Sequence, residues 1–166
     1  MLTARTIKDC ALAAGADLCG IADVGRFRDG PRETHPLSLY PEAKSVIVFA
    51  SRILKGSYQG IREGTDWSAY WMYGYGSGIY NSLDNATDAV ANLLEDHGFE
   101  ALHSPGGHTL LDEAPPARAP LAEDRLPPCV MLHMRIAAAL AGLGELGWSK
   151  VFLTPEFGPR QRFEIL

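Results

Sequence analysis

The sequence predicts an α/β (α+β) domain in which a mixed β-sheet is flanked by helices, and three observations predict it. Ser45-Val46-Ile47-Val48-Phe49-Ala50 is an unbroken apolar run, the pattern of a central strand covered on both faces. Ile79 to His97 sets Ile79, Leu83, Ala86, Val90 and Leu94 on one face and Asp84, Asp88 and Asp96 on the other, an amphipathic helix that Gly98 ends. Around these two, helical and strand-like patterns alternate along the chain. With 166 residues, 46% of them apolar, the chain is long enough for a genuine core and is read as one domain over 1–166.

Thr3 is an N-cap for a first helix over 4–14, with Ile7, Ala11, Leu12 and Ala14 at helical spacing and Gly15 as its stop. Residues 17–24 alternate small and apolar side chains and predict a strand. The polar stretch 25–36 contains Pro31 and Pro36 and reads as a loop. Its Arg26, Arg28 and Arg32 are interspersed with Asp29 and Glu33, a solvated surface rather than an anion patch. The turn Tyr40-Pro41-Glu42-Ala43 leads into the central strand at 45–51.

A long helical stretch, 66–97, begins with Trp67, Tyr70, Trp71, Tyr73 and Tyr75. These rings either dock the helix on the core or wall a large cofactor pocket. Phe99 to His103 alternates as an edge strand. Residues 104–128, with six prolines, form a long ordered loop or lid. His103 and His108 lie near its start without further ligands at metal-binding spacing, so no metal site made of protein side chains is expected. Asp112-Glu113 is a carboxylate pair in that loop. A helix over 131–141, a strand over 151–154 and a fifth strand over 162–166 complete the layer.

Composition excludes several functions. The net charge is −5 and no Lys/Arg stripe occurs, which argues against nucleic acid as a partner. No apolar run approaches the ~18 residues of a membrane span. The N-terminus lacks the apolar region of a signal peptide, which predicts a cytoplasmic protein. Cys10, Cys19 and Cys129 are widely separated, with no Cys-x-x-Cys run for an iron–sulfur cluster or zinc. Each reads as a small buried hydrophobe in a reducing compartment.

The stretch His133 to Phe163 carries the functional signal. Gly142-x-Gly144-x-x-Gly147 has the spacing of a dinucleotide fingerprint in the wrong context, because the fingerprint needs a strand before its glycines and a helix after. Here helix precedes and strand follows. A helix ending on several glycines leaves backbone N–H groups bare and admits a ligand closely; a helix C-cap and turn is the alternative. Arg160 and Arg162 beside this loop make a seat for an anionic group.

Ala141-Gly142-Leu143-Gly144-Glu145-Leu146-Gly147 and Leu153-Thr154-Pro155-Glu156-Phe157-Gly158-Pro159-Arg160 resemble the core signature of the reductive dehalogenase and epoxyqueuosine reductase superfamily. Cys19-Gly20-Ile21-Ala22 and Tyr40 to Val48 resemble it too, so the likeness spans most of the chain, thinly between 55 and 132. It implies a modified nitroreductase-like fold that binds cobalamin without its lower base ligand and reduces a small-molecule substrate. The cofactor-binding residues it implies are Gly142, Leu143, Gly144, Glu145, Gly147, Pro155, Glu156, Gly158 and Arg160. Ser51 and Arg52, at the end of the central strand, would face the cofactor.

A tyrosine would donate a proton in such a reduction. Tyr73 and Tyr75 are catalytic candidates, with His133 a third. Reducing members of the superfamily continue into a segment with two iron–sulfur clusters. These are absent from this sequence, which ends where that segment would begin. Electrons would then come from a ferredoxin or flavoprotein, or from a missing C-terminal iron–sulfur segment. The pattern departs at two points: Asp66-Trp67-Ser68 replaces an Asp-Tyr-His run, and Pro128 occupies the place of an acidic aspartate, which puts an epoxide substrate in doubt. A corrinoid carrier without catalysis and an FMN enzyme of nitroreductase type are the alternatives.

Overall fold

The computed structural model describes residues 1–30, 34–104 and 132–166. Helix α1, Ala4–Ala13, starts where the Thr3 hydroxyl accepts the Thr6 amide and is followed by strand β1, Leu18–Asp23. Short helix α2, Pro36–Leu39, leads to strand β2, Ser45–Arg52. Helices α3 (Gln59–Glu63) and α4 (Ser68–Tyr70) run into a π-helical turn, Trp71–Tyr75, and then into the long helix α5, Ser77–Glu95. Helix α6 (Met134–Leu140) precedes the two-residue strands β3 (Glu145–Leu146) and β4 (Phe152–Leu153), and strand β5, Gln161–Ile165, closes the sheet.

The main sheet has the order β1-β2-β5 with both pairs antiparallel. Period-two alternation makes β2 the divider between two cores. Val46, Val48 and Ala50 pack with Ala137, Ala138, Phe152, Phe163 and Ile165. Ile47 and Phe49 turn the other way, onto Ala11, Leu83, Ala86 and Val90. Full burial of a side chain such as Phe49 or Leu83 stabilises by about 1.5–3 kcal/mol. The α/β layer with a doubly covered central strand is as the sequence predicts.

Three local features differ. Residues 99–103 do not form a strand: among the described residues, an isolated bridge, Ser104 to Ile165, is all that continues the sheet beyond β5. Phe99 and Leu102 are both exposed, so the alternation creates no buried face to hold a register. The helix predicted over 66–97 breaks at Gly76, which is extended and donates its N–H to Trp71 O, five residues back. Glycines permit this turn, since a Cβ on Gly74 would stand 2.7 Å from the Tyr70 ring and one on Gly78 2.7 Å from the Tyr73 ring. Finally, β3 pairs with β4 in a small separate hairpin that the sequence does not announce.

Residues 105–131, which include all but the first residue of the loop or lid predicted over 104–128 and with it His108, Asp112, Glu113 and Pro128, lie outside the described residues, as do Cys129 and Pro31, Arg32 and Glu33. Among the described residues no helix is long and apolar enough to cross a membrane.

Candidate functional site

Strand β5 turns Phe163 and Ile165 into the core beneath α6, which leaves Arg162 and Glu164 on the α5 side of the sheet. Arg162 meets the π-helical turn there. Its Nε donates to Gly74 O at 2.8 Å, its Nη2 donates to the Tyr70 hydroxyl at 3.2 Å, and its guanidinium lies 5.3 Å from the centre of the Tyr75 ring. A guanidinium has no acceptor, so Tyr70 Oη accepts from it and keeps its own proton for another group.

Further phenols surround this contact. Tyr58 stacks at a tilt on Tyr70, with ring centres 5.1 Å apart. Burial, reinforced by Tyr70, pushes the Tyr58 hydroxyl above its usual pKa, while Arg162 and Arg160 oppose the shift. Burial also raises Tyr80, against the pull of Arg162. The result is a guanidinium bordered by several phenols, of which burial favours the protonated form at Tyr58 and Tyr80. Of the two candidate tyrosines, Tyr75 lies against Arg162; Tyr73 sits instead over the backbone of Gly78, with its ring more than half exposed.

The glycine loop has other business. Gly142 N donates to Ala139 O and Leu143 N to Ala138 O, the paired bonds of a Schellman cap, with Gly142 left-handed at φ +77°. Gly147 N donates to Val151 O and closes the β3–β4 hairpin, in which Glu145 pairs with Leu153. A Cβ on Gly144 would overlap the Leu153 carbonyl oxygen, so that glycine admits the chain's own backbone. Gly20 on β1 does the same for the helix end, since a Cβ there would meet Ala141 Cβ at 2.8 Å. Bare amides after Ala141 are therefore corrected to capped ones, and the helix C-cap is the reading that holds.

Arg160 is likewise engaged, its Nη1 donating to Ile53 O at 2.8 Å. Pro155, Glu156 and Gly158 lie in a tight turn closed by Thr154 N to Gly158 O and Gly158 N to Thr154 O, with Gly158 at φ +60°. Arg135 donates to Lys150 O and braces the hairpin loop. At the end of β2, Ser51 is buried, while Arg52 pairs with Asp17 and lies 5.8 Å from the Phe157 ring. Two buried side-chain atoms among the described residues, Ser51 Oγ and His133 Nδ1, have no hydrogen-bond partner. A cavity of about 580 Å³ opens elsewhere, lined by Ile7, Ile21, Tyr40, Lys44, Leu94 and Phe99 among others, and touches none of the predicted cofactor-binding residues.

A selenomethionine-labelled epoxyqueuosine reductase of known structure superposes on 97% of this chain with a TM-score of 0.58, at 15% sequence identity. The chain shares its fold with that epoxyqueuosine reductase. It spans 44% of the length of the epoxyqueuosine reductase chain. No protein-family model matches it, and neither does any curated protein sequence.

Of the polar residues on the α5 side of β5, sequence reading singled out Arg162, as an anion seat beside the glycine loop, and missed Glu164 and the partners of both. Their signal was present: Arg162 and Glu164 alternate with Phe163 and Ile165, and charges at every second position of a short C-terminal strand mark one polar face. Their partners Gly74, Tyr70 and His103 come from distant elements, which no local pattern reveals.

Proposed function

We propose that this chain is a reductase-type domain of the epoxyqueuosine reductase kind, working in the cytoplasm on a small-molecule substrate. Cobalamin is its proposed cofactor, and a ferredoxin, a flavoprotein or an iron–sulfur segment outside this chain is its proposed electron source. The observation that carries the reading is the fold likeness over nearly the whole chain, which coincides with the two sequence blocks.

The glycine loop and Arg160 do not fit a corrin seat of the kind those blocks suggest. Gly142, Leu143, Gly147 and Gly158 all spend their amides on backbone carbonyls, and Arg160 is tied to Ile53 O. The chain's own chemistry lies at Arg162. Reduction of a polar bond requires a proton as well as electrons, and a phenol supplies one best when a fixed positive charge steadies the phenolate it leaves. Tyr70, hydrogen-bonded to the Arg162 guanidinium, has that arrangement. Tyr75, against the same guanidinium and 44% exposed, is the phenol open to an incoming substrate.

Turnover of halogenated and epoxide substrates, with cobalamin and an artificial low-potential reductant, tests the reading. The expected result is measurable reduction that falls about 10²-fold or more in Tyr70→Phe, the scale of general acid catalysis. Full activity in that variant overturns the proton-donor assignment, and absence of any reduction by the wild type overturns the function.

A further inference from the structure

We propose that Asp84, His103 and Glu164 form a binding site for a divalent transition-metal ion, zinc above all, separate from the reductase reading and independent of it. The three residues come from α5, from the segment that follows it and from β5, and their ligand atoms all lie within 4.8 Å of one another. His103 Nε2 stands 3.1 Å from Glu164 Oε1. In a tetrahedral zinc site with bonds of about 2.0–2.2 Å, neighbouring ligand atoms are about 3.3–3.5 Å apart. The His103–Glu164 edge is already near that length. The edges to Asp84 are no longer than 4.8 Å, and its side chain is exposed.

Burial and charge favour the same conclusion. The Glu164 side chain is 95% buried with the His103 imidazole against it, and a carboxylate in such a setting draws positive charge. One nitrogen and two carboxylate oxygens make a donor set that suits zinc, and the two negative charges balance a divalent ion. Tyr80 borders the cluster on α5: burial raises its hydroxyl, and Glu164, Tyr75 and Asp84 add to the shift while Arg162 opposes it. His103 and Asp84 are on the outside, so an ion held here would keep a coordination position open to water or to a ligand, as catalytic rather than structural zinc does.

The test is calorimetric titration of the full chain with Zn²⁺ alone at pH 7.5, repeated with His103→Gln, Asp84→Asn and the control His97→Gln. His97 bonds Leu93 O through Nδ1 and stands apart from the triad. The expected result is one site per chain, weakened at least tenfold in each triad variant and unchanged in the control. Cobalt(II) substitution should give the intense visible bands of a tetrahedral site, lost in His103→Gln. Both triad variants are at exposed positions, so circular dichroism will show them folded. Absence of zinc binding by the folded wild type, or binding that is unchanged in both triad variants, overturns the proposal.

Discussion

Replacing Gly144 with alanine should destabilise the chain far more than the same change at Gly142, although both belong to one sequence motif. At Gly142 an added Cβ would meet nothing within 4 Å, so its cost is that of a non-glycine residue at φ +77°, about 1 kcal/mol once the unfolded chain's loss of freedom is offset. At Gly144, φ is +156° and the Cβ would overlap the Leu153 carbonyl oxygen while sitting 3.0 Å from the buried Phe152 ring. Neither neighbour is a flexible side-chain end, so β3 and β4 must separate. Overpacking and backbone strain together cost about 3 kcal/mol or more.

For a chain of this size each kcal/mol lowers Tm by about 2–4 °C. The expected drops are therefore about 2–4 °C for Gly142→Ala and about 6–12 °C for Gly144→Ala, read by circular dichroism at one protein concentration. Equal drops, or a milder effect at Gly144, would refute the claim that this glycine exists for the hairpin.

Gly20→Ala should cost about 1–3 kcal/mol, because its Cβ would press on Ala141 and on Leu143 Cγ at 2.8–2.9 Å; urea unfolding measures it, and an unchanged midpoint would contradict that packing. Arg162→Met should cost about 1–3 kcal/mol by leaving Gly74 O without its donor, and should speed amide exchange at Gly76; Tyr70→Phe, losing one 3.2 Å bond, should cost less than Arg162→Met in the same assay. Burial pushes the Cys19 thiol up to about 11, so at pH 8 only about 0.1% is thiolate. Its alkylation should be at least tenfold slower than that of a free thiol and should rise about tenfold per pH unit up to that value; a plateau near pH 9 would show the thiol to be unburied.

Much of the fold was legible because its main elements carry continuous patterns. The run Val46 to Ala50 can only be a strand with two apolar faces, and the structure gives it one core on each side. The spacing of Ile79, Leu83, Ala86 and Val90 gives α5 its buried stripe. Where pattern failed, tertiary context decided. Phe99 to His103 alternates without a covering layer, and β3 is two residues set by a turn that Gly147 and Lys150 close. The π-helical turn depends on rings lying over Gly74 and Gly78, a matter of close approach that periodicity does not encode.

The candidate site was legible only in part. The glycines of 142–147 were visible as a break, but the sequence could not say whether their amides faced a ligand or the chain, and it is the Schellman bonds and the hairpin that use them. Arg160 and Arg162 looked equivalent two residues apart on one side of an extended segment. The structure sends the first to Ile53 O and the second among the phenols. His103 seemed without metal partners because Glu164 is far along the chain and reaches it only once β5 joins the sheet.

The most direct measurement is the visible spectrum of the full chain after incubation with hydroxocobalamin and gel filtration, with FMN in a parallel sample. The proposal predicts about one corrin carried per chain with a shifted absorption band, and the same retention in Gly142→Ala, whose amide is spent on the helix cap. Elution of colourless protein from the corrin sample, or a yellow protein from the flavin one, would contradict it.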